Sequence, residues 1–277
     1  MKRIKALLSL LTLIAVYSCS DTKVIENVPE DTETAPPVSG YFKKRVLIED
    51  YTGTWCGNCT RVAYAIDQMY AQSDKVVSIA IHNGNDPYHF ANFLPLKEMI
   101  LPAGGDLELP QSRLNRTIVW TSPEPSNLAQ AKALTGNNAG LGIAMSSTVV
   151  NGTVTLDVNM KFAQNYTGLK LVVYALENHL IKNQANYTSY YGNVNPVVGY
   201  EHNHVLRKEI TDLLGDPITE ATTVGQTVTK SFSFPIPANF TNPENISFVA
   251  MVVNADNLSL NARAAEKNEN QAFEQNP

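Results

Sequence analysis

Two cysteines three positions apart, set between an apolar run and an amphipathic one, constrain this chain more than any other feature. Residues 45–66 read RVLIEDYTGTWCGNCTRVAYAI. The first seven suit a buried strand. From 59 to 70, Val62, Ala63, Ile66, Met69 and Tyr70 recur at helical spacing. A tight turn carrying Cys56 and Cys59 must join the two, which puts the dithiol at a helix start. The first backbone N–H groups of a helix lack intrahelical partners and carry partial positive charge. A thiolate at Cys56 is stabilised there and is more abundant at neutral pH. Cys59, one turn later, is placed to attack a mixed disulfide and release the product.

Two other readings of the pair stay open. Zinc needs four ligands, and there is no second C-x-x-C to supply them. His82, His89, His179, His202 and His204 are the imidazole candidates, and the spacing usual for a structural site is missing. A purely structural disulfide that encloses two residues stabilises little through chain entropy. Redox chemistry is therefore the leading reading. Trp55-Cys56-x-x-Cys59 after a strand resembles the thioredoxin fold. The resemblance implies a buried acid that handles protons, with Asp50 and its neighbour Glu49 as candidates on opposite faces of the strand. It also implies a cis-proline before a later strand, Pro110, which with Trp55 frames a substrate groove. Peroxide chemistry lacks the proline expected before a peroxidatic cysteine.

The chain opens with Lys2, Arg3 and Lys5, then a short apolar run over 6–16, then Val16-Tyr17-Ser18-Cys19. This resembles the lipobox of bacterial lipoproteins, with residues 1–18 as signal peptide and Cys19 as the lipidated residue. Losing the leader takes the formal net charge from −5 to −8, which argues against nucleic acid as a partner. An exported chain sits in an oxidising compartment, and with Cys19 lipidated the two remaining cysteines pair with each other or with another molecule. Residues 19–40 are acidic and Pro-containing without periodicity, as expected of a tether.

Beyond the dithiol helix come KVVSIAIH (75–82), a short helix over 92–100, a strand over 112–120, and LAQAKAL with Ser126 as N-cap and Gly136 as its close. Alternating strands and helices over 41–136 predict an α/β domain of thioredoxin-like form. From 137 to 266 the pattern is strands and turns, with Asn151-Gly152 between two alternating runs as a hairpin signal. It predicts an all-β sandwich domain. A polar tail over 267–277 is expected to fray. Asn-x-Ser/Thr triplets at Asn151, Asn165 and Asn186 are read as chance in an Asn-rich chain. Near Tyr200 the chain reads GYEHNHVLR, with His202 and His204 on one face if the segment is a strand; a polar cluster is preferred to a metal site.

EDYTGTWCGNC, LPQSRLNR, YEHNHVLR and the late LSLNA together resemble the outer membrane protein twenty-eight related family of Gram-negative lipoproteins, over residues 45–265. The resemblance implies an outer membrane lipoprotein facing periplasm or cell surface, and members regarded as possible adhesins or receptors. Two functions follow. One is a thiol–disulfide oxidoreductase acting on protein thiols or disulfides of the cell envelope, without a cofactor, through Cys56, Cys59 and Asp50 or Glu49. The other is a binding protein in which the dithiol body is a scaffold. A Cys56 sulfur buried away from solvent, or a trans Pro110 far from it, favours the second.

Overall fold

The computed structural model describes residues 39–101, 104–136 and 138–276. The expected leader, Cys19 and the tether up to residue 38 lie outside the described residues. Its strands are β1 (Val46–Thr52), β2 (Val76–His82), β3 (Gln111–Leu114), β4 (Ile118–Val119), β5 (Leu141–Val150), β6 (Thr153–Phe162), β7 (Lys170–Glu177), β8 (Leu180–Gln184), β9 (Val197–His202), β10 (Val205–Glu209), β11 (Asp216–Pro217), β12 (Thr227–Pro235), β13 (Ile246–Val253) and β14 (Ser259–Glu266). The helices are α1 (Thr60–Gln72), α2 (Leu94–Ile100) and α3 (Leu128–Lys132).

The expected α/β thioredoxin-like domain followed by a separate sandwich is not what forms. Strand accounts for 40% and helix for 14% of the structure, and one mixed nine-stranded sheet takes strands from both halves. Its order is β14-β13-β7-β10-β2-β1-β3-β4, with β11 attached to β7. The seam is β10, antiparallel to β7 and parallel to β2 through Val205 and Ala80. There the Ala80 N–H donates to the His204 carbonyl at 2.9 Å.

The reason lies in β7 and β13. LVVYAL and FVAMVV do not alternate, and these strands are buried on both faces, as central strands of a covered sheet must be. On one side Val172, Tyr174 and Leu176 join Leu47, Tyr51, Val77 and Leu206 in a core that runs across the sheet. On the other side Leu171, Val173 and Ala175 pack on the small β12-β6-β5 sheet. At the β1–β2 end that same side is covered by α1, whose Ala65 and Met69 meet Val46, Ile48 and Val76.

Three local expectations change as well. The strand over 112–120 breaks at Asn115 and Arg116, both at positive φ. Asn115 tolerates that backbone and pairs through main and side chain with Leu47. Ser126 falls in a 3₁₀ turn, and α3 opens after Asn127, whose amide donates back to the Thr121 and Pro123 carbonyls. The polar tail is docked rather than frayed: Gln271 N donates to Met145 O at 2.8 Å, and Glu274 pairs with Arg45.

Candidate functional site at the dithiol

Cys56 and Cys59 form a disulfide, with Cα atoms 5.4 Å apart. The turn that carries them closes through Cys56 N to Gly53 O at 3.0 Å and Cys59 N to Cys56 O at 3.2 Å. Cys59 is the N-cap of α1 and its carbonyl receives the Val62 and Ala63 N–H groups. Trp55 is half exposed, and its Nε1 donates to the Asn83 carbonyl at 2.8 Å. A Cβ on Gly53 would stand 2.7 Å from that indole, so the ring lies directly on the turn. Asp86 anchors the approach by accepting from Thr54 N and Tyr88 N, and from His82 Nδ1 at 3.1 Å. Burial pushes its carboxyl up, but these three partners prevail and hold it at about 2.

The turn is clamped from outside by a segment far away in sequence. Gln184, at the end of β8, donates to Gly53 O at 3.2 Å and Cys56 O at 3.0 Å. Ala185 N donates to Thr54 O, and Tyr187 N to Gly57 O. The Tyr187 ring lies over Gly57, where a Cβ would come within 2.4 Å. Asn186 is buried, and its Oδ1 receives Thr60 Oγ1 at 2.8 Å. The triplet dismissed as chance is thus a structural bracket for the first turn of α1. Under this clamp Cys56 is 5% exposed and Cys59 1%.

Behind the disulfide is a cavity of about 120 Å³. Asp50, Cys59, Thr60 and His82 line its inner part, and Tyr200, His202 and His204 close it from the β9–β10 side. Exposed Asp67 and Glu201 stand at its rim. Strand alternation sorts the two candidate acids. Glu49 and Tyr51 share one face, where Tyr51 OH donates to Glu49 and Arg116 Nε lies 3.2 Å from its carboxylate. Asp50 and Thr52 take the other face, toward the cavity. Burial pushes the Asp50 carboxyl well above the usual carboxylate range; Glu124 adds to this and Arg61 opposes it.

The imidazoles arrive by topology. His202 ends β9, but His204 lies in the following turn at positive φ, so the two are not consecutive residues on one strand face. His202 packs edge-on to His82, Tyr88 and Tyr200, while His204 stacks on Tyr70. Burial lowers both imidazoles to about 4. Among the described residues no group of three or more His, Cys, Asp or Glu side chains could hold a metal ion. The Leu109–Pro110 bond is cis. Pro110 precedes Gln111, which pairs with Tyr51, so it lies at the end of β1 from which the dithiol turn departs.

Residues 106–271 match the model for outer membrane protein Omp28. The chain belongs to the Omp28 family. Omp28 proteins are outer membrane proteins, and the outer membrane is where this chain resides. The matched span holds LPQSRLNR, YEHNHVLR and LSLNA and begins after the dithiol. No helix among the described residues is long and apolar enough to cross a membrane. The solved structure of HBP35 of Porphyromonas gingivalis is similar to this Omp28 chain at 20% identity, with a TM-score of 0.62, covering 86% of this chain and 81% of that one. That likeness is one of fold. Chicken MD-1 complexed with lipid IVa overlaps 46% of this chain and 80% of its own at 14% identity, with a TM-score of 0.23, too low to carry any argument. No curated relative matches the chain.

Proposed function

We propose that this Omp28-family envelope protein exchanges its Cys56–Cys59 disulfide with protein thiols or disulfides of the cell envelope. One observation carries the reading: Asp50, buried and disposed to hold a proton, lines the same cavity as Cys59. A thiolate attacking Cys56 expels Cys59 as a thiolate, and that sulfur needs a proton where water is scarce. Cys56, 5% exposed against 1% for Cys59, is the less buried of the two and the one a substrate would attack. A Cys59→Ser variant should then trap a mixed disulfide with a disulfide-containing protein substrate through Cys56. A Cys56→Ser variant should not. No adduct with Cys59→Ser would sink the exchange reading.

A second reading is favoured by the clamp. With Cys56 5% exposed beneath Gln184 and Tyr187, the disulfide could serve as a staple in a binding protein of the outer membrane. Replacing both cysteines by serine would then leave function in the envelope intact and lower stability alone.

A further inference from the structure

We infer that His202 relays protons between the Asp50 carboxyl and solvent, through water held in the cavity behind Cys59. Several buried side-chain polar atoms have no hydrogen-bond partner among the described residues. Those of Glu49, Glu177, Arg207 and Arg116 Nε meet in ion pairs at 3.2 Å and 3.1 Å, attracted though poorly aligned for a hydrogen bond, and Arg116 Nη1 belongs to the guanidinium so paired. Asp50 Oδ1 and His202 Nε2 are left. The two residues are 4% and 5% exposed, and both line the one cavity. Buried polar atoms are nearly always satisfied, by water where protein does not serve. A cavity of about 120 Å³ is several times the ~10–15 Å³ that one water requires by this measure.

Tyr200 lines the cavity with Asp50, and its ring lies 4.8 Å from that of His202. Burial raises its phenol to about 12, with Asp67 adding to the shift. His82, Tyr88 and Tyr200 face His202, with the Asp86 charge close by; Glu124 and Arg61 act on Asp50. His202 is neutral at neutral pH, and its hydrogen bond to the Lys182 backbone leaves Nε2, the unpartnered nitrogen, with the lone pair. Nε2 can take a proton from water on the rim side, where Asp67 and Glu201 meet solvent, and hand it inward through the cavity water.

The relay rests on the exchange reaction of the Cys56–Cys59 disulfide. A substrate thiol that has lost its proton to solvent attacks Cys56, the Cys56–Cys59 bond breaks, and Asp50 gives its proton to the leaving Cys59 sulfur while drawing one from solvent through His202 and the cavity water. A second substrate thiol, losing its proton to solvent, attacks the mixed disulfide and frees Cys56 as a thiolate, which takes a proton from solvent. Two substrate thiols become a disulfide and the protein disulfide becomes a dithiol.

The test is the rate at which dithiothreitol reduces the disulfide in the full chain, followed by Trp55 fluorescence across the pH range spanning an ordinary thiol pKa of about 8.5. His202→Gln should slow reduction about tenfold near neutral pH, below the ~10²-fold lower bound for a group that transfers its proton directly. The deficit should vanish at high pH, where Cys59 leaves as a stable thiolate. Combined with Asp50→Asn it should add nothing to the Asp50→Asn defect, because the two act in series. A deficit that persists at every pH, an additive double variant, or an unchanged rate would overturn the relay while leaving exchange standing. A native disulfide that dithiothreitol cannot reduce would overturn exchange and the relay together. The unsubstituted chain gives an independent check should His202→Gln not fold. Its reduction rate, at fixed dithiothreitol thiolate near neutral pH, should fall along a curve as D2O replaces water, as several protons moving together require. No fall, or a straight-line fall, contradicts the relay.

Discussion

Gln184 Nε2 donates to the carbonyl oxygen of Cys56 at 3.0 Å, across 128 positions of sequence. The same amide reaches Gly53 O at 3.2 Å, so one side chain ties both ends of the turn before the disulfide to the β8–β9 hairpin. Gln184→Ala removes one of the two hydrogen bonds that each carbonyl accepts, since those from Cys56 N and Cys59 N remain. We expect a loss of about 1–3 kcal/mol in urea unfolding, at about 0.5–1.5 kcal/mol for each bond. We also expect faster reduction of the disulfide, because the cover over Cys56 loosens. Slower reduction would show that Gln184 presents the disulfide rather than shielding it.

Gly57 and Tyr187 make a second, separable contact. A methyl group at Gly57 would come within 2.4 Å of the Tyr187 ring, while Tyr187 is itself 70% exposed. Gly57→Ala should therefore displace the ring and destabilise by roughly 1–3 kcal/mol, as overpacking does. Tyr187→Ala in the same chain should recover most of that loss. A double-mutant cycle with no coupling would contradict the contact.

Glu49 and Arg116 are both fully buried, and their charged groups are 3.2 Å apart. Arg116 also donates to Tyr174 OH and to Leu213 O, joining β1 to β7 beneath the sheet. Arg116→Met alone strands the Glu49 carboxylate. We expect a loss of about 3–5 kcal/mol, measured by chemical denaturation at neutral pH. Glu49→Gln added to that variant should restore part of it.

Stability should respond to pH from two opposing sources. The His202 and His204 imidazoles are held at about 4 by burial, whereas in the unfolded chain they take a proton at about 6.5. Their contribution is complete above that value and falls as pH drops toward 4, by on the order of 3 kcal/mol for each. Asp50 runs the other way. Its folded carboxyl is raised by burial, then by Glu124. The stability linked to its proton is therefore complete below about 3.9 and is lost as pH rises through its folded pKa. Asp50→Asn should steepen the loss of melting temperature on acidification between about pH 6.5 and 4, and His202→Gln should flatten it. The reverse pattern would contradict both assignments.

The dithiol turn was legible because its signal is local. A strand, a Gly-containing turn and a helix start sit within about twenty residues, and the hairpin at Asn151-Gly152 was legible for the same reason. The sheet was not, because LVVYAL and FVAMVV were read as sandwich strands. Their missing alternation, which demands two covered faces, carried the signal of central strands. The site was half legible. Alternation puts Asp50 and Glu49 on opposite faces, and the face that meets the dithiol shows only once Arg116, reached through a turn at positive φ, takes up Glu49. Gln184, Asn186 and Tyr187 carry no local pattern. They reach the dithiol because β10 inserts between β7 and β2 and brings the β8–β9 hairpin with it.

The most direct measurement is the equilibrium reduction potential of the Cys56–Cys59 pair in the full chain, set against glutathione and dithiothreitol buffers. An exchanging dithiol should fall within roughly −120 to −270 mV, the range of disulfide-exchange proteins. A value below about −300 mV, where structural disulfides resist reduction, would contradict the exchange function and leave the pair as a staple.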